Sequence, residues 1–275
     1  PTFHIEGGDI TEGGTFDDNV RHAITKLSHF HFVTNKTSYK NLIYMGEEKW
    51  RVHNVGLPIN DLVYKQKFTN HKDLKDKFNL KDDSPLFILT QHPVSTEPHL
   101  SKFFIKEILK SVSYFIKKYN CQVIATYPNN DVGSEEIILE LKKFDKKYKN
   151  FNLYKSLGNH LYHSLLNLSK NKNVLVLGNS SSGIKEAVIF KCPVLNIGSR
   201  QNGRLKPENV LDVKCNSDSI NNKIKTCLFD KGFIKNLKRV QNPYFKKNTG
   251  KKITKIIEDV KLNTKLIRKK FNINF

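Results

Sequence analysis

The stretch that decides the fold is VLVLGNSSSG, residues 174–183. Its four apolar residues predict a short buried strand, and the glycine, asparagine and serines that follow predict a tight turn into a helix. We expect this helix to end near Phe190 and the next strand to occupy residues 193–197. A strand, a turn and a helix in this order are typical of a parallel sheet that is covered by helices on both faces.

The same alternation extends toward the amino terminus in two series. In the longer series, strands are predicted at residues 86–89, 122–126 and 152–154, and helices at 101–119, 135–148 and 161–168. In the shorter series, strands are predicted at 2–5, 31–34 and 52–56, and helices at 36–45 and from Asp17 or Asp18 onward, with Val20, Ala23, Ile24 and Leu27 as apolar positions. Residues 250–275 predict a basic amphipathic helix with a frayed tail. The sequence therefore predicts an α/β protein with doubly wound parallel sheets, whose ligands bind beyond the carboxyl ends of the strands.

The composition limits the class of protein. A chain of 275 residues with 38% hydrophobic residues suits one and a half to two domains. It contains no apolar stretch of about 20 residues and no leader, so we expect a soluble, cytoplasmic protein without membrane contact. The four cysteines are Cys121, Cys192, Cys215 and Cys227. They are too widely spaced for a zinc motif or a disulfide framework, and we expect no metal site. The chain enters a strand directly after Pro1, so we expect it to be the carboxyl-terminal part of a longer protein.

The formal net charge of +21 raises the question of nucleic-acid binding. The excess comes mainly from lysine and is spread along the chain from Lys65 to Lys270. No aromatic-interleaved basic stripe, zinc finger or RNA-binding signature accompanies it. We therefore disfavour nucleic acid as a partner and expect the charge to favour an anionic ligand such as a sugar nucleotide.

The serine turn is the first candidate site. Glycines let the backbone of residues 178–183 approach a ligand, and hydroxyls with helix N–H groups suit a phosphate. A plain helix cap is the alternative, but a cap needs one serine and not three. The turn lacks the Gly-Lys-Ser/Thr ending of a P-loop, which disfavours nucleoside triphosphate hydrolysis. Glu186 follows early in the helix, where it could accept hydrogen bonds from a ribose or be a surface residue.

A histidine and two arginines are further candidates. His92 follows a predicted buried strand directly and precedes Pro93, at the edge where ligands bind. Arg200 and Arg204 stand out because arginine is scarce in this chain, and a guanidinium suits a phosphate. Internal salt bridges of these arginines with acidic residues further along the chain are the alternative: these are Glu208 and Asp212.

Three carboxylates lie close together in the sequence near the amino terminus. Glu6 follows two apolar residues and precedes two glycines, and Asp17 and Asp18 come after a short loop. Carboxylates that lie near one another can divide the roles of acid and base between them. The alternative for Asp17 and Asp18 is a helix cap in a solvated loop.

These residues together resemble the UDP-N-acetylglucosamine 2-epimerases, and specifically their hydrolysing branch, which opens sialic acid synthesis. The matching stretches keep their order and extend to about residue 215: HIEGG (4–8), DDNVRHAITKL (17–27), QHPV (91–94), PN (128–129), GNSS (178–181) with Gly183 and Glu186, and RQ (200–201) with Gly203 and Arg204. The resemblance implies the glycosyltransferase-B (GT-B) fold, with two Rossmann-like domains and the nucleotide in the cleft. Residues 1–60 would end the first domain, 61–245 would form the second, UDP-binding domain, and 246–275 a helix crossing back toward the first. The family's phosphate-binding arginine and its His-Gly-Asp-Arg segment would lie upstream of Pro1.

The resemblance also implies a reaction without a cofactor: UDP is eliminated across carbons 1 and 2 of UDP-N-acetylglucosamine, and the glycal is hydrated to N-acetylmannosamine. The implied catalytic residues are Glu6, Asp17, Asp18 and His92, and the implied UDP ligands are Asn129, Ser180, Ser181, Gly183, Glu186 and Arg204. We expect a UDP-sugar as ligand and a homo-oligomer, a dimer or tetramer, as assembly. The loop at residues 11–14 looks longer than in the sialic acid members, so the same chemistry on UDP-N,N'-diacetylbacillosamine is an alternative. The other alternative is a sugar-nucleotide-binding protein without epimerase chemistry, either glycosyltransferase-like or regulatory.

Overall fold

The computed structural model describes residues 1–12 and 15–272. The chain divides into two compact units. The first unit comprises Pro1–Gln66, Asn202–Leu205 and Asn242–Phe275, and the second comprises Lys67–Gln201 and Lys206–Gln241. The main divisions therefore fall after residues 66 and 241, where the sequence predicted 60 and 245, and the first unit gains a short segment from the middle of the second. Within the described ranges, no helix is both long and apolar enough to cross a membrane.

The first unit contains a parallel sheet in the order β1-β2-β3. The helices alternate with these strands, as predicted. In chain order, the elements are β1 (Phe3–Ile5), α1 (Thr15–Leu27), β2 (Phe30–Val33), α2 (Lys36–Tyr44), β3 (Val52–Asn54) and α3 (Ile59–Lys65). Asn35 starts α2 by accepting a hydrogen bond from the backbone N–H of Ser38 at 2.9 Å, a standard helix cap.

Helix α1 begins at Thr15, so Asp17 and Asp18 lie in its first turn and do not cap it. Its predicted apolar stripe is exposed: Val20 keeps 43% and Leu27 77% of its accessible surface. The buried face of α1 is polar instead, because Thr25 contacts the ring of His4 on β1, with 3.2 Å between Oγ1 and Nδ1. Helical spacing thus predicted the helix correctly, but hydrophobicity did not identify its buried face.

The second unit contains a parallel sheet in the order β6-β5-β4-β7-β8-β9. In chain order its elements are α4 (His71–Phe78), β4 (Leu86–Thr90), α5 (Ser101–Tyr119), β5 (Gln122–Thr126), α6 (Ser134–Lys147), β6 (Phe151–Tyr154), α7 (Gly158–Asn167), β7 (Val174–Gly178), α8 (Ser181–Lys185), β8 (Val194–Ile197), β9 (Val210–Val213), α9 (Ser217–Phe229) and α10 (Lys231–Leu237). The chain winds outward from β4 in one direction and from β7 in the other. This order is that of a doubly wound Rossmann-like sheet, so the predicted fold class is confirmed.

The core of the second unit lies on both faces of this sheet. Because both faces are covered, β7 is apolar and buried along its whole length. On one face, α5 packs against the sheet, and the ring of Phe115 meets that of Phe87 edge-on with centroids 5.8 Å apart. Cys121, Cys192 and Cys227 are buried, and Cys215 is half-buried.

The carboxyl-terminal region returns to the first unit as α11 (Thr249–Asp259) and α12 (Thr264–Ile267). Ile253 of α11 packs in the core of that unit against Phe32 and Val55. The sequence predicted one helix with a frayed tail over residues 250–275, whereas the structure ends the helix at Asp259 and forms a second, short helix after it. The chain is extended at Val260, and Asn263 caps a separate helix by accepting the backbone N–H of Leu266 at 3.0 Å.

A buried carboxylate, that of Glu47, joins three parts of the first unit. It accepts hydrogen bonds from Lys26 at 2.7 Å, from Lys269 at 2.7 Å and from His31 Nε2 at 3.0 Å. Burial alone would raise the pKa of Glu47, but the hydrogen bonds from His31, Lys26 and Lys269 outweigh it and lower the pKa to about 2. A folded-state pKa below the unfolded value means that ionised Glu47 stabilises the fold at neutral pH.

We expect Glu47→Gln to lower the free energy of unfolding by about 3 kcal/mol at pH 6, and we expect this difference to shrink as the pH falls from about 5 to 2. The stabilisation is lost over that range because the carboxylate becomes protonated in the unfolded and then in the folded protein. Urea unfolding followed by circular dichroism measures it. Glu258→Gln on the exposed side of α11 is the control, with a change below about 0.5 kcal/mol. A pH-independent difference would contradict the assignment.

Candidate active site

The carboxyl ends of β4 and β7 form the candidate site of the second unit. The two strands are neighbours, and the winding direction of the sheet reverses between them. Open α/β sheets bind ligands at such a switch point, beyond the carboxyl ends of the strands. The loop after β4 carries His92 and the loop after β7 carries the serine turn, so the structure brings the two main candidates of the second unit to one edge.

Gly178 lets the two strands end side by side. It pairs with Thr90, and its φ of +116° lies in the region that favours glycine. A Cβ atom at this position would lie 2.0 Å from the carbonyl oxygen of Thr90. Any other residue would therefore push β4 and β7 apart where their loops meet.

Asn179 connects the loops around the switch point. Its Oδ1 accepts the backbone N–H of His92 at 2.7 Å, and its Nδ2 donates to the carbonyl of the same residue at 2.9 Å. The carbonyl of Asn179 accepts from Gln201 Nε2 at 2.7 Å and from Arg200 Nη1 at 3.2 Å. The fully buried Asn179 thus joins the loops that follow β4, β7 and β8. This role of Asn179 was not predicted, because it depends on partners in two other loops.

His92 is held as a neutral hydrogen-bond donor. Its Nδ1 accepts the backbone N–H of Asn129 at 2.9 Å, so the ring proton is on Nε2. Burial, followed by the positive charge of Arg200, lowers the pKa of His92 to about 4. At neutral pH the side chain can donate to an anionic group without carrying a charge itself.

The serine turn does not use its first hydroxyl as a helix cap. Ser180 occupies the cap position of α8 but makes no capping hydrogen bond, and its Oγ lies 2.9 Å from Oγ of Ser182. This geometry disfavours the plain-cap alternative. Gly183 packs on the sheet, since a Cβ there would lie 3.1 Å from Val194 Cγ1. Helix α8 ends at Lys185 and a 3₁₀ turn covers Ala187–Phe190, so the single helix that we predicted to end near Phe190 was wrong.

Glu186 and Asn129 each have a side-chain partner in the second unit. One oxygen of Glu186, Oε2, lies 2.6 Å from Nε2 of the fully buried His163, while the Glu186 side chain keeps 21% of its accessible surface. The amide of Asn129 donates to the carboxylate of Asp131. Neither the contact of Glu186 with His163 nor that of Asn129 with Asp131 was predicted from the sequence.

In the first unit, Glu6 stands at the end of β1 in a strained conformation. Its φ is +67°, where residues other than glycine are uncommon, and its backbone N–H donates to the carbonyl of Phe32 at 3.0 Å. Such strain costs on the order of 1 kcal/mol and is concentrated at functional sites. The charge of Glu6 also acts on Tyr244. Burial raises the pKa of the Tyr244 hydroxyl, and the charges of Asp9 and Glu6 raise it further.

Asp18 and Asp17 differ in their surroundings. The carboxylate of Asp18 accepts the backbone N–H and the hydroxyl of Thr11, each at 2.6 Å, and pairs with Arg21. These bonds attach the loop after β1 to α1. Asp17 is exposed on the first turn of the helix. Two residues of the loop that we judged unusually long, Gly13 and Gly14, lie outside the described residues.

Arg204 pairs with Asp9, a carboxylate that was not one of the two alternative partners of this arginine. Its Nη2 lies 3.1 Å from Oδ2 of Asp9, and both residues belong to the first unit. Asp212, one of the two expected partners, instead accepts from Lys206 at 2.8 Å. The backbone N–H of Glu12 also donates to the carbonyl of Asn202 at 3.1 Å, so the segment Asn202–Leu205 supports the loop after β1. A pair so distant along the chain leaves no signal in the sequence.

The chemistry available is that of hydrogen-bond donors in the second unit and carboxylates in the first. His92 and the serine turn provide donors for an anion, and Glu6 provides a carboxylate at the end of β1. In the part of the chain that the structure describes, no group of three or more histidine, cysteine, aspartate or glutamate side chains could hold a metal ion.

Comparison with known proteins defines the class first. The structure is similar to a UDP-N-acetylglucosamine 2-epimerase from Neisseria meningitidis in a crystal structure with bound UDP-N-acetylglucosamine. The TM-score is 0.77 at 20% identity, over 94% of this chain and 70% of that one. The fold is thus of the GT-B type, as predicted. A family model described as UDP-N-acetylglucosamine 2-epimerase matches residues 1–258, and the chain belongs to this family.

Two curated relatives are similar along much of the chain. The GDP/UDP-N,N'-diacetylbacillosamine 2-epimerase (hydrolyzing) of Campylobacter jejuni is 36% identical over 78% of this chain and 54% of its own length. The UDP-N,N'-diacetylbacillosamine 2-epimerase (hydrolyzing) of Legionella pneumophila is 32% identical over 98% of this chain and 67% of its own length. The resemblance to the hydrolysing branch is confirmed by these matches. The chain spans about half the length of the first curated relatives that it matches.

Proposed function

We propose that the full-length protein is a hydrolysing 2-epimerase that converts UDP-N-acetylglucosamine and water into N-acetylmannosamine and UDP, in the synthesis of sialic-type acids. The observation that carries this proposal is the set of donors at the β4/β7 switch point, in a chain of this family. The donors are a neutral His92 and the hydroxyl of Ser180, which does not cap α8. Such donors suit a diphosphate that gains negative charge as it leaves.

The first half of the proposed reaction is an elimination. Glu6 takes the proton from carbon 2, the electron pair of that C–H bond forms the C1=C2 double bond, and the C1–O bond breaks with its electrons on UDP. The second half is hydration, in which water adds its hydroxyl to C1 and a proton returns to C2 from the opposite face. We keep Asp17 as a candidate for handling the water. The bonds of Asp18 to Thr11 and Arg21 favour a role in positioning the loop.

The second unit is assigned to the nucleotide. We propose that Ser180, Ser181 and the adjacent backbone hold the diphosphate, that His92 donates Nε2–H to the leaving oxygen, and that Glu186 binds the ribose. Asn129 is placed on the uracil side. The ion pair of Arg204 with Asp9 supports a role for Arg204 in holding the loop after β1. A direct contact of Arg204 with UDP, which the family resemblance implies, is a secondary proposal.

A second candidate substrate is UDP-N,N'-diacetylbacillosamine, because the printed names of two similar proteins contain it. A competition assay decides between the two substrates. The full-length protein is given equal concentrations of both UDP-sugars, and the two free sugars are measured by mass spectrometry. We expect N-acetylmannosamine to exceed the diacetylated sugar by at least about tenfold. The reverse ratio would make UDP-N,N'-diacetylbacillosamine the substrate. Binding of both nucleotides without release of UDP would overturn the enzyme assignment and favour a sugar-nucleotide-binding protein. We also propose a homo-oligomer, a dimer or tetramer, which light scattering tests.

A further inference from the structure

His163 is hydrogen-bonded to the carboxylate of Glu186. It lies on α7, is fully buried, and its Nε2 is 2.6 Å from Oε2 of Glu186. An ionised carboxylate can only accept hydrogen bonds, so Nε2 carries the proton. Hydrogen bonds to a charged acceptor are about twice as strong as neutral ones.

Two aromatic rings lie beside His163. The centroid of its imidazole is 5.9 Å from that of Phe190 and 5.8 Å from that of Tyr162. Placing an imidazole in such surroundings costs free energy unless its polar atoms are hydrogen-bonded. The bond to Glu186 satisfies Nε2 of the ring.

Glu186 itself is placed to meet a ligand. It directly follows α8, the short helix that begins at the serine turn, and its side chain is one-fifth exposed. The bond to His163 holds one carboxylate oxygen and leaves the other for a partner. A carboxylate held in this way has a fixed orientation, which favours directed hydrogen bonds from a pair of hydroxyl groups.

We propose that His163 is a positioning residue that fixes Glu186 for the ribose hydroxyls of the nucleotide and so makes the site selective for ribonucleotides. This inference rests on the proposed function, because it takes Glu186 to be the ribose ligand. Rossmann-like dinucleotide sites use an aspartate or glutamate as the acceptor for a ribose hydroxyl, so a carboxylate is a suitable ligand for this sugar. His163 acts through Glu186 and touches no substrate atom.

The test compares two nucleotides on the full-length protein by calorimetry. The probes are UDP and 2′,3′-dideoxyuridine diphosphate, which lacks both ribose hydroxyls. We expect the wild-type protein to bind UDP roughly 30-fold more tightly. His163→Leu is expected to weaken UDP binding roughly tenfold and to leave the dideoxy compound within twofold, so that the ratio of the two Kd values falls to about three.

Two further variants separate positioning from folding. His163→Gln places an amide N–H near the position of Nε2 and is expected to restore most of the ratio. His160→Leu changes an exposed histidine one turn earlier on the same helix, and its ratio is expected to equal that of the wild-type protein. A purely structural role would weaken both nucleotides alike in His163→Leu, with the ratio unchanged, and that result would overturn the proposal.

Glu186→Gln distinguishes this failure from that of the proposed function. If Glu186→Gln lowers the ratio and His163→Leu does not, only the positioning role of His163 is wrong. If Glu186→Gln also leaves the ratio unchanged, the ribose assignment is wrong, and the proposal for His163 fails with it. The epimerase proposal is judged separately, by release of UDP from the UDP-sugar.

Discussion

Replacing Glu6 by glutamine in the full-length protein is expected to lower kcat for UDP release by about 1000-fold and to leave the Kd for UDP within about threefold. A positioned base contributes 10²–10⁴-fold to a proton transfer, and glutamine cannot take the proton from carbon 2. The two side chains have nearly the same shape, so UDP binding should persist. Stopped assays of UDP release and calorimetry measure the two quantities.

A matched control separates the loss of a base from the loss of a charge. Glu12 is an exposed carboxylate in the loop after β1, and Glu12→Gln makes the same change of charge. We expect it to alter kcat less than threefold. An equal loss of kcat in both variants would show that the net charge of the loop matters and that Glu6 is not the base.

The backbone of Glu6 gives a second way to distinguish function from structure. Its φ of +67° is one that glycine adopts freely, so Glu6→Gly relieves strain. This variant should lose turnover as completely as Glu6→Gln does, because glycine has no carboxylate. Turnover at the wild-type level would contradict the role of Glu6 as the base.

His92→Ala is expected to lower kcat by about 100-fold to 1000-fold, the usual cost of removing one donor to a developing negative charge. The control is His99→Ala, an exposed histidine in the same segment, which should leave kcat unchanged. Equal activity of the His92→Ala and wild-type proteins would exclude the donor role.

The pKa of His92 adds a prediction about pH. Because burial and Arg200 lower this pKa to about 4, the ring is neutral throughout the range from pH 6 to 8. Protonation below about pH 4 would remove the acceptor that Nδ1 offers to the backbone N–H of Asn129. NMR titration of labelled histidine, assigned by the missing signal of His92→Ala, should therefore show no change of charge at His92 between pH 6 and 8. A midpoint near 6.5 would contradict the neutral-donor role.

The strands of the second unit could be predicted because each is a short apolar run that ends at a polar or glycine residue. Both β4 and β7 are buried strands of this kind. Other elements carry weaker signals. Helix α4 has the sequence HKDLKDKF, in which only Leu74 and Phe78 are apolar, and β9 is a four-residue strand at the edge of the sheet. Helices α3, α9 and α10 were likewise not predicted.

The candidate site could be predicted where it depends on local sequence. Ser180, with its glycine neighbours, and His92 after a buried strand are recognisable from residue order alone. Partners that meet only through the fold were missed, namely Asp9 with Arg204 and His163 with Glu186. A weak signal for His163 existed, because it interrupts the apolar run LYHSLL at residues 161–166. A polar residue at a position with a buried pattern can indicate a buried hydrogen bond.

The measurement that tests the central claim most directly is NMR of the full-length protein with UDP-N-acetylglucosamine in deuterated water. Phosphorus spectra follow the nucleotide, and proton spectra follow the sugar. Elimination and hydration predict stoichiometric free UDP together with N-acetylmannosamine that carries deuterium at carbon 2. Conversion to UDP-N-acetylmannosamine without free UDP would contradict the hydrolysing reaction, and an unchanged nucleotide sugar would contradict epimerase activity on this substrate.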